Sequence, residues 1–206
     1  MFQEYSDEEF FECELRGANS VVNTVCGEKD FSNIPPDVLK RAGERGSAIH
    51  KAIEEFLNSD MMTIPTIDFE YYPYWDQFKL WLKERTHIGK IYGTEIRIIS
   101  EKLGFKGIID CIAEFKNKDQ DETKVALIDW KTSSNLDLFR TKCQMQLYYE
   151  LLVAEYPEIA NKITELRVLS ITKTTYRWFK FNIDRELGKS LLYIYNHYLR
   201  KDAERR

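Results

Sequence analysis

The sequence predicts a mixed α/β fold in one domain, and three observations carry that expectation. Stretches with helical period alternate with runs of β-branched and aromatic residues. After an opening pair of helices the order is three strands, a helix, two strands and a helix, an order that packs helices onto a sheet. No repeat, low-complexity tract or Gly/Ser linker divides the 206 residues, so residues 1–206 are expected to form a single domain.

The elements follow in order. Pro35 and Pro36 pre-set the backbone for a helix start, and Leu39, Ile49, Ile53, Phe56 and Leu57 make one apolar stripe through about Asn58. A second helix is expected from about Tyr74 to Arg85. The aromatic stretch Tyr71-Tyr-Pro-Tyr-Trp75, continued by Phe78 and Trp81, reads as core at helical spacing, with a partner surface or a base-stacking platform as alternatives. Strands are expected at Ile91–Ile99, Phe105–Phe115 and Thr123–Lys131. Ser133, Ser134 and Asn135 offer caps for a helix over Leu136–Tyr156, which Pro157 follows. Strands at Glu165–Thr172 and Tyr176–Ile183, joined by a short polar turn, precede a last helix from about Arg185.

Composition excludes some function classes. No run of about 18 apolar residues appears, so no membrane span is expected. Met1 to Phe11 is acidic and lacks the pattern of a secretory signal, which predicts an intracellular, cytoplasmic protein. Cys13, Cys26, Cys111 and Cys143 contain no CxxC pair and read as free thiols, with Cys111 filling space in a strand. Net charge is −4, yet phosphate binding depends on local patches. Basic residues cluster at Lys40, Arg41, Arg45 and Lys51, at Lys173, Arg177 and Lys180, and at Arg200, Lys201, Arg205 and Arg206. Each cluster alone reads as a solvated face, so charge neither supports nor excludes nucleic acid.

The chemistry concentrates in two adjacent strands. A hairpin symmetric about the polar loop Asn117–Glu122 sets Asp110 opposite Asp129 and Ile108 opposite Lys131. Side chains two apart share a strand face, so Asp129 and Lys131 point the same way. Opposed carboxylates repel, and in a dry site one would take up a proton unless a cation sits beside them. A lysine offsets part of that repulsion and Mg²⁺ the rest. The alternative is a surface hairpin with a salt bridge, but the neighbours Ile108, Ile109, Ile112, Leu127, Ile128 and Trp130 are apolar. On the first helix, Gly43 and Gly46 each cost about 1 kcal/mol of helix stability, which predicts a close backbone approach there. Alone, His50 reads as a satisfied core histidine; beside the acidic hairpin it would complete a hard-cation shell and widen tolerance toward Mn²⁺.

Gly46-Ser-Ala-Ile-His50, Gly107-Ile-Ile-Asp110, Asp129-Trp-Lys131-Thr132-Ser133 and Gln144-Met-Gln-Leu-Tyr148, in that order, resemble the RecB-like branch of the PD-(D/E)XK nucleases. The resemblance implies a restriction-endonuclease-like three-layer α/β core with a central mixed β-sheet flanked by helices. It implies a metal held by His50, Asp110, Asp129 and the carbonyl of Trp130, with Lys131 positioning or activating the attacking water. Gln144 and Tyr148 match the family's QxxxY element near the substrate strand, with core packing and a structural hydrogen bond as alternatives. Glu95 matches an acidic position that would contact a second metal or support the site. Three cysteines after the QxxxY element mark iron–sulfur branches; they are absent here, so Mg²⁺ or Mn²⁺ and no iron–sulfur cluster is the expectation. The implied function is a stand-alone, phage-type exodeoxyribonuclease of recombination, replication or repair acting on DNA. No helicase motif is present, so a helicase, annealing or single-strand-binding partner would be a separate polypeptide, and oligomerisation is conceivable. The competing readings are an inactive binding module on this fold, a structure-specific endonuclease, a hydrolase of small phosphate esters, and a plain interaction module.

Overall fold

The computed structural model describes residues 2–118 and 122–204, with side chains described to Tyr198. Arg200, Lys201, Arg205 and Arg206, the last basic cluster, lie outside the described side chains, and so does the middle of the Asn117–Glu122 loop.

Short α1 (Asp7–Glu12), β1 (Arg16–Gly17) and α2 (Ala18–Cys26) open the chain, followed by α3 (Pro36–Asn58) and α4 (Tyr72–Glu84). Strands β2 (Thr86–Ser100), β3 (Phe105–Asn117) and β4 (Lys124–Lys131) come next, then α5 (Leu138–Glu155) and the short α6 (Pro157–Ala160). Strands β5 (Glu165–Ile171) and β6 (Tyr176–Phe181) and helix α7 (Arg185–Glu204) complete it. The six strands form one mixed sheet: β2–β3, β3–β4 and β5–β6 pair antiparallel, while β1–β3 and β4–β5 pair parallel. The parallel β4–β5 pair needs a crossover, and α5 with α6 supplies it.

Two apolar clusters lie on the two faces of the sheet. One joins Val21 and Val22 of α2, Met145, Leu147 and Leu151 of α5 and Leu191 and Tyr195 of α7 to Ile109, Leu127 and Val168 of the sheet. The other joins Ile49 and Ile53 of α3 and Trp75, Phe78 and Trp81 of α4 to Cys111, Ile128 and Trp130. The fold is thus the α/β sandwich of helices, sheet and helices. The aromatic stretch is core: Tyr71, Tyr74, Trp75, Phe78 and Trp81 are buried, whereas Phe69 and Tyr72 are exposed. Helix α5 is covered on most sides, with both polar and apolar residues buried from Cys143 to Leu152. Among the described residues no helix is long and apolar enough to cross a membrane.

Candidate active site

The β3–β4 hairpin has the expected register, with Cys111 opposite Ile128 and Ile112 opposite Leu127. The ladder stops at that first pair, however. Asp110 and Asp129 are not ladder partners, and neither are Ile108 and Lys131. Beyond Cys111 the Asp110 side chain takes over the role of a strand: its Oδ2 accepts the Trp130 N–H at 2.7 Å. β1 pairs with Phe105 and Lys106 at the start of β3, so residues 107–110 have no strand neighbour on the β4 side. The acids sit in that gap.

Strand β3 also changes face there. Ile109 belongs to one apolar cluster and Cys111 to the other, although side chains two apart share a face in a regular strand. The neighbouring strand shows the matching irregularity. Thr94 pairs with Cys111 and Ile96 with Ile109, and between them Glu95 has a φ of 45°. That left-handed backbone is unfavourable for a residue with a Cβ. It brings the Glu95 carboxylate to the same place as Asp110.

Helix α3 supplies the imidazole from the other face. His50 Nε2 is 2.8 Å from the carbonyl oxygen of Trp130, and Nδ1 is 3.5 Å from Asp110 Oδ2 and 3.6 Å from Glu95 Oε1. Ligand atoms of His50, Glu95 and Asp110 lie within 4.8 Å of one another. Asp129 does not join this group. Its neighbour on the same face, Lys131, holds it: Nζ stands 2.8 Å from each carboxylate oxygen but donates in hydrogen-bond geometry only to Oδ1. Asp129 Oδ2 is buried with no hydrogen-bond partner among the described residues.

Charges this close move one another's protons. Burial, reinforced by the Asp129 charge, pushes Asp110 up to about 7 against the pull of His50 and Lys131. Burial opposes the charged form of His50, yet Asp110, Glu95 and Asp129 together raise it to about 9. Lys131 is likewise raised, because Asp129 and Asp110 outweigh its desolvation. The site is short of positive charge: an imidazole and a lysine must serve three carboxylates. An imidazole nitrogen, clustered carboxylate oxygens and Asp129 Oδ2, which has only the Lys131 charge beside it, are the donors a hard divalent cation takes, and the residues present fit one.

Two cavities are lined in part by residues of the site. One, about 600 Å³, is lined by Gly43, Gly46, His50, Lys51, Glu54 and Glu95. The other, about 580 Å³, has Lys131 and Gln144 in its wall. Gln144 and Tyr148 are one turn apart on α5, both buried, with Gln144 Nε2 donating to the Tyr148 hydroxyl at 2.8 Å. Burial near Asp129 and Asp110 holds the Tyr148 hydroxyl protonated.

Sequence reasoning misplaced one feature and missed others. The expected close approach at Gly43 and Gly46 is absent: a Cβ on Gly43 would meet nothing within 4 Å, and one on Gly46 only Thr132 Oγ1 at 3.8 Å. Those glycines leave room in the cavity beside His50. Close approaches are instead at Gly93, Gly188 and Gly107, and at Gly107 a Cβ would come within 2.9 Å of both Tyr148 and Leu151. Glu54, one helical turn beyond His50, was not singled out, although the i, i+4 spacing is legible. Arg140 was missed as well: the cap signals at Ser133–Asn135 hid that Asp137 caps α5, its side chain accepting from Arg140 N at 3.0 Å.

Comparisons with known proteins bear on the fold and the family. A candidate exonuclease from Eubacterium rectale superposes with a TM-score of 0.53 at 13% identity, covering 97% of this chain and 85% of that one, a likeness of fold. The alkaline exonuclease LHK-Exo from Laribacter hongkongensis gives a TM-score of 0.49 at 14% identity, covering 96% of this chain and 93% of its own. A search of curated proteins gives no match. The profile of the PD-(D/E)XK nuclease superfamily matches residues 70–186, more than half of the sequence and the whole span from α4 to the start of α7. The chain belongs to the PD-(D/E)XK nuclease superfamily.

Proposed function

We propose that this nuclease is a Mg²⁺- or Mn²⁺-dependent exodeoxyribonuclease that hydrolyses DNA phosphodiester bonds in recombination, replication or repair. The observation that carries the reading is the convergence of His50, Glu95 and Asp110 beside the Asp129–Lys131 pair, with His50 and Glu95 lining one cavity and Lys131 another.

His50, Glu95, Asp110 and Asp129 would hold the cation, with the Trp130 carbonyl as a further oxygen. When bound, a divalent ion supplies Lewis acidity at the phosphate and lowers the pKa of water. The protein's own groups do the rest. Lys131, kept cationic by Asp129 and Asp110, donates to a phosphate oxygen or orients the attacking water. The Asp110–Trp130 hydrogen bond fixes one carboxylate oxygen, so the other is left for ligation. Gln144 lies along the wall that meets the strand, its amide oriented by Tyr148.

The test is incubation of purified protein with end-labelled linear DNA and closed circular DNA, each with Mg²⁺, Mn²⁺ or EDTA. Lys131→Ala protein is run beside it. Metal-dependent loss of linear DNA alone, absent in Lys131→Ala, supports the exonuclease. Cleavage of circles would turn the reading to an endonuclease, and inertness of a folded protein toward both would overturn it.

A further inference from the structure

The cavity on the Lys131 side carries a feature that hydrolysis alone does not require. Its wall includes Asn23 of α2, Lys29 and Phe31 of the following loop, and Arg140 of α5, besides Lys131 and Gln144. Phe31 is 47% exposed, an unusual setting for an aromatic ring beside cations and amides. The loop is held in place. Gly27, with a φ of 81°, turns the chain out of α2. Arg140 donates to the Gly27 carbonyl at 2.5 Å, and to Asn23 Oδ1. Asp30 accepts from Ser32 N at 2.8 Å, and Ile34 N donates to the Phe31 carbonyl at 2.9 Å, closing a tight turn with Phe31 at its start.

Charge complements the ring. Lys29, Arg140 and Lys131 face this cavity against Glu28, whereas in the other Lys51 and His50 stand with Glu54 and Glu95. Among the described residues neither Lys29 nor Arg140 is paired to a carboxylate. A volume of about 580 Å³ lies in the range of small-molecule sites, about 300–1,000 Å³. That is room for a nucleotide or so.

We propose that this cavity seats a single-stranded end of the nucleic acid, with Phe31 stacked on an unpaired nucleobase and Lys29 and Arg140 against the flanking phosphates. The inference rests on the nuclease reading above and adds a substrate form, an unpaired terminus, with Phe31 as the residue that selects it. Cationic grooves with aromatic platforms hold single strands in this way, because every base has a π-face while a phosphate follows at each step.

The experiment measures binding of fluorescent single-stranded oligonucleotides by anisotropy in EDTA, so that nothing is cut. The full chain, Phe31→Ala and Phe31→Trp are compared on an intact oligonucleotide and on one whose terminal bases are replaced by abasic sites. Phe31→Ala is expected to weaken binding of the intact oligonucleotide by roughly 5- to 100-fold. Phe31→Trp should restore it, and the abasic oligonucleotide should bind the wild type and Phe31→Ala equally weakly. Unchanged binding by Phe31→Ala would overturn the proposal. An equal loss on both oligonucleotides would also overturn it, since the ring would then only shape the loop. If the wild type binds neither, this inference fails while the cleavage assay above still decides the nuclease reading; tight binding indifferent to Phe31 likewise sinks this inference alone.

Discussion

Asp110 occupies the place of a β-strand: its carboxylate, not a backbone carbonyl, accepts the Trp130 N–H at 2.7 Å at the point where β3 and β4 part. An acid proposed to hold the metal is thereby part of the sheet's hydrogen bonding. Asp110→Ala should abolish cleavage and, by orphaning a buried N–H, cost about 1–3 kcal/mol of stability. Asp110→Asn keeps an acceptor oxygen and should lose the activity at a smaller stability cost. Urea denaturation of both variants checks this; equal stability of Asp110→Ala and wild type would refute it.

Glu95 sits on β2 with a φ of 45°, where glycine is the more comfortable residue. Glu95→Gly is expected to be more stable than Glu95→Ala by about 1 kcal/mol, the reverse of the ranking in an ordinary strand. Both variants should cleave poorly. Thermal unfolding of the two proteins decides the first point, and an Ala variant equal to or above the Gly variant would show that the backbone is not held in that conformation.

Two glycines separate room from contact. Gly46 lies inside α3 with space around it, so Gly46→Ala should raise stability by about 0.5–1 kcal/mol. Gly107→Ala drives a methyl into Tyr148 and Leu151 and should lower stability by about 1–3 kcal/mol while reducing activity through displaced Tyr148. The pair of denaturation midpoints, moving in opposite directions, is the measurement.

Glu165 gives the acid limit of the fold. Burial opposes its ionisation, but Lys180, Lys124 and Arg167 outweigh it and depress the carboxyl to about 2. In the unfolded chain the same group titrates near its ordinary value of 4.5. Its contribution, about 2–3 kcal/mol, is therefore full above pH 4.5 and lost as the pH falls from there toward 2. Stability measured against pH should show this slope, and Glu165→Gln should flatten it. A Gln variant with the wild-type slope would assign the acid sensitivity elsewhere.

Much of this is legible in the sequence. The β3–β4 register follows from a polar loop between two apolar runs, and the pairing of Cys111 with Ile128 agrees with it. What pattern could not show is where pairing ends. A ladder break leaves the residue types unchanged, so Asp110 and Asp129 read as direct partners. The extent of β2 was hidden as well: register shifts between Ile88, Ile91 and Gly93 spoil its alternation, so Ile91–Ile99 stands for a strand that begins at Thr86. Helix α2 escaped because it is short, Ala18–Cys26, and Gly17 offers no side chain to cap it. The loop after it, with Phe31, carries no period at all.

The enclosure of α5 has a consequence for motion. A helix covered by α2, α7 and the sheet cannot expose its amides unless those neighbours separate from it. Deuterium should enter Gln144 to Leu152 only with opening of the whole domain, at the slow end of the exchange rates. The wall proposed to meet the substrate is then built on the last part of the molecule to let water in.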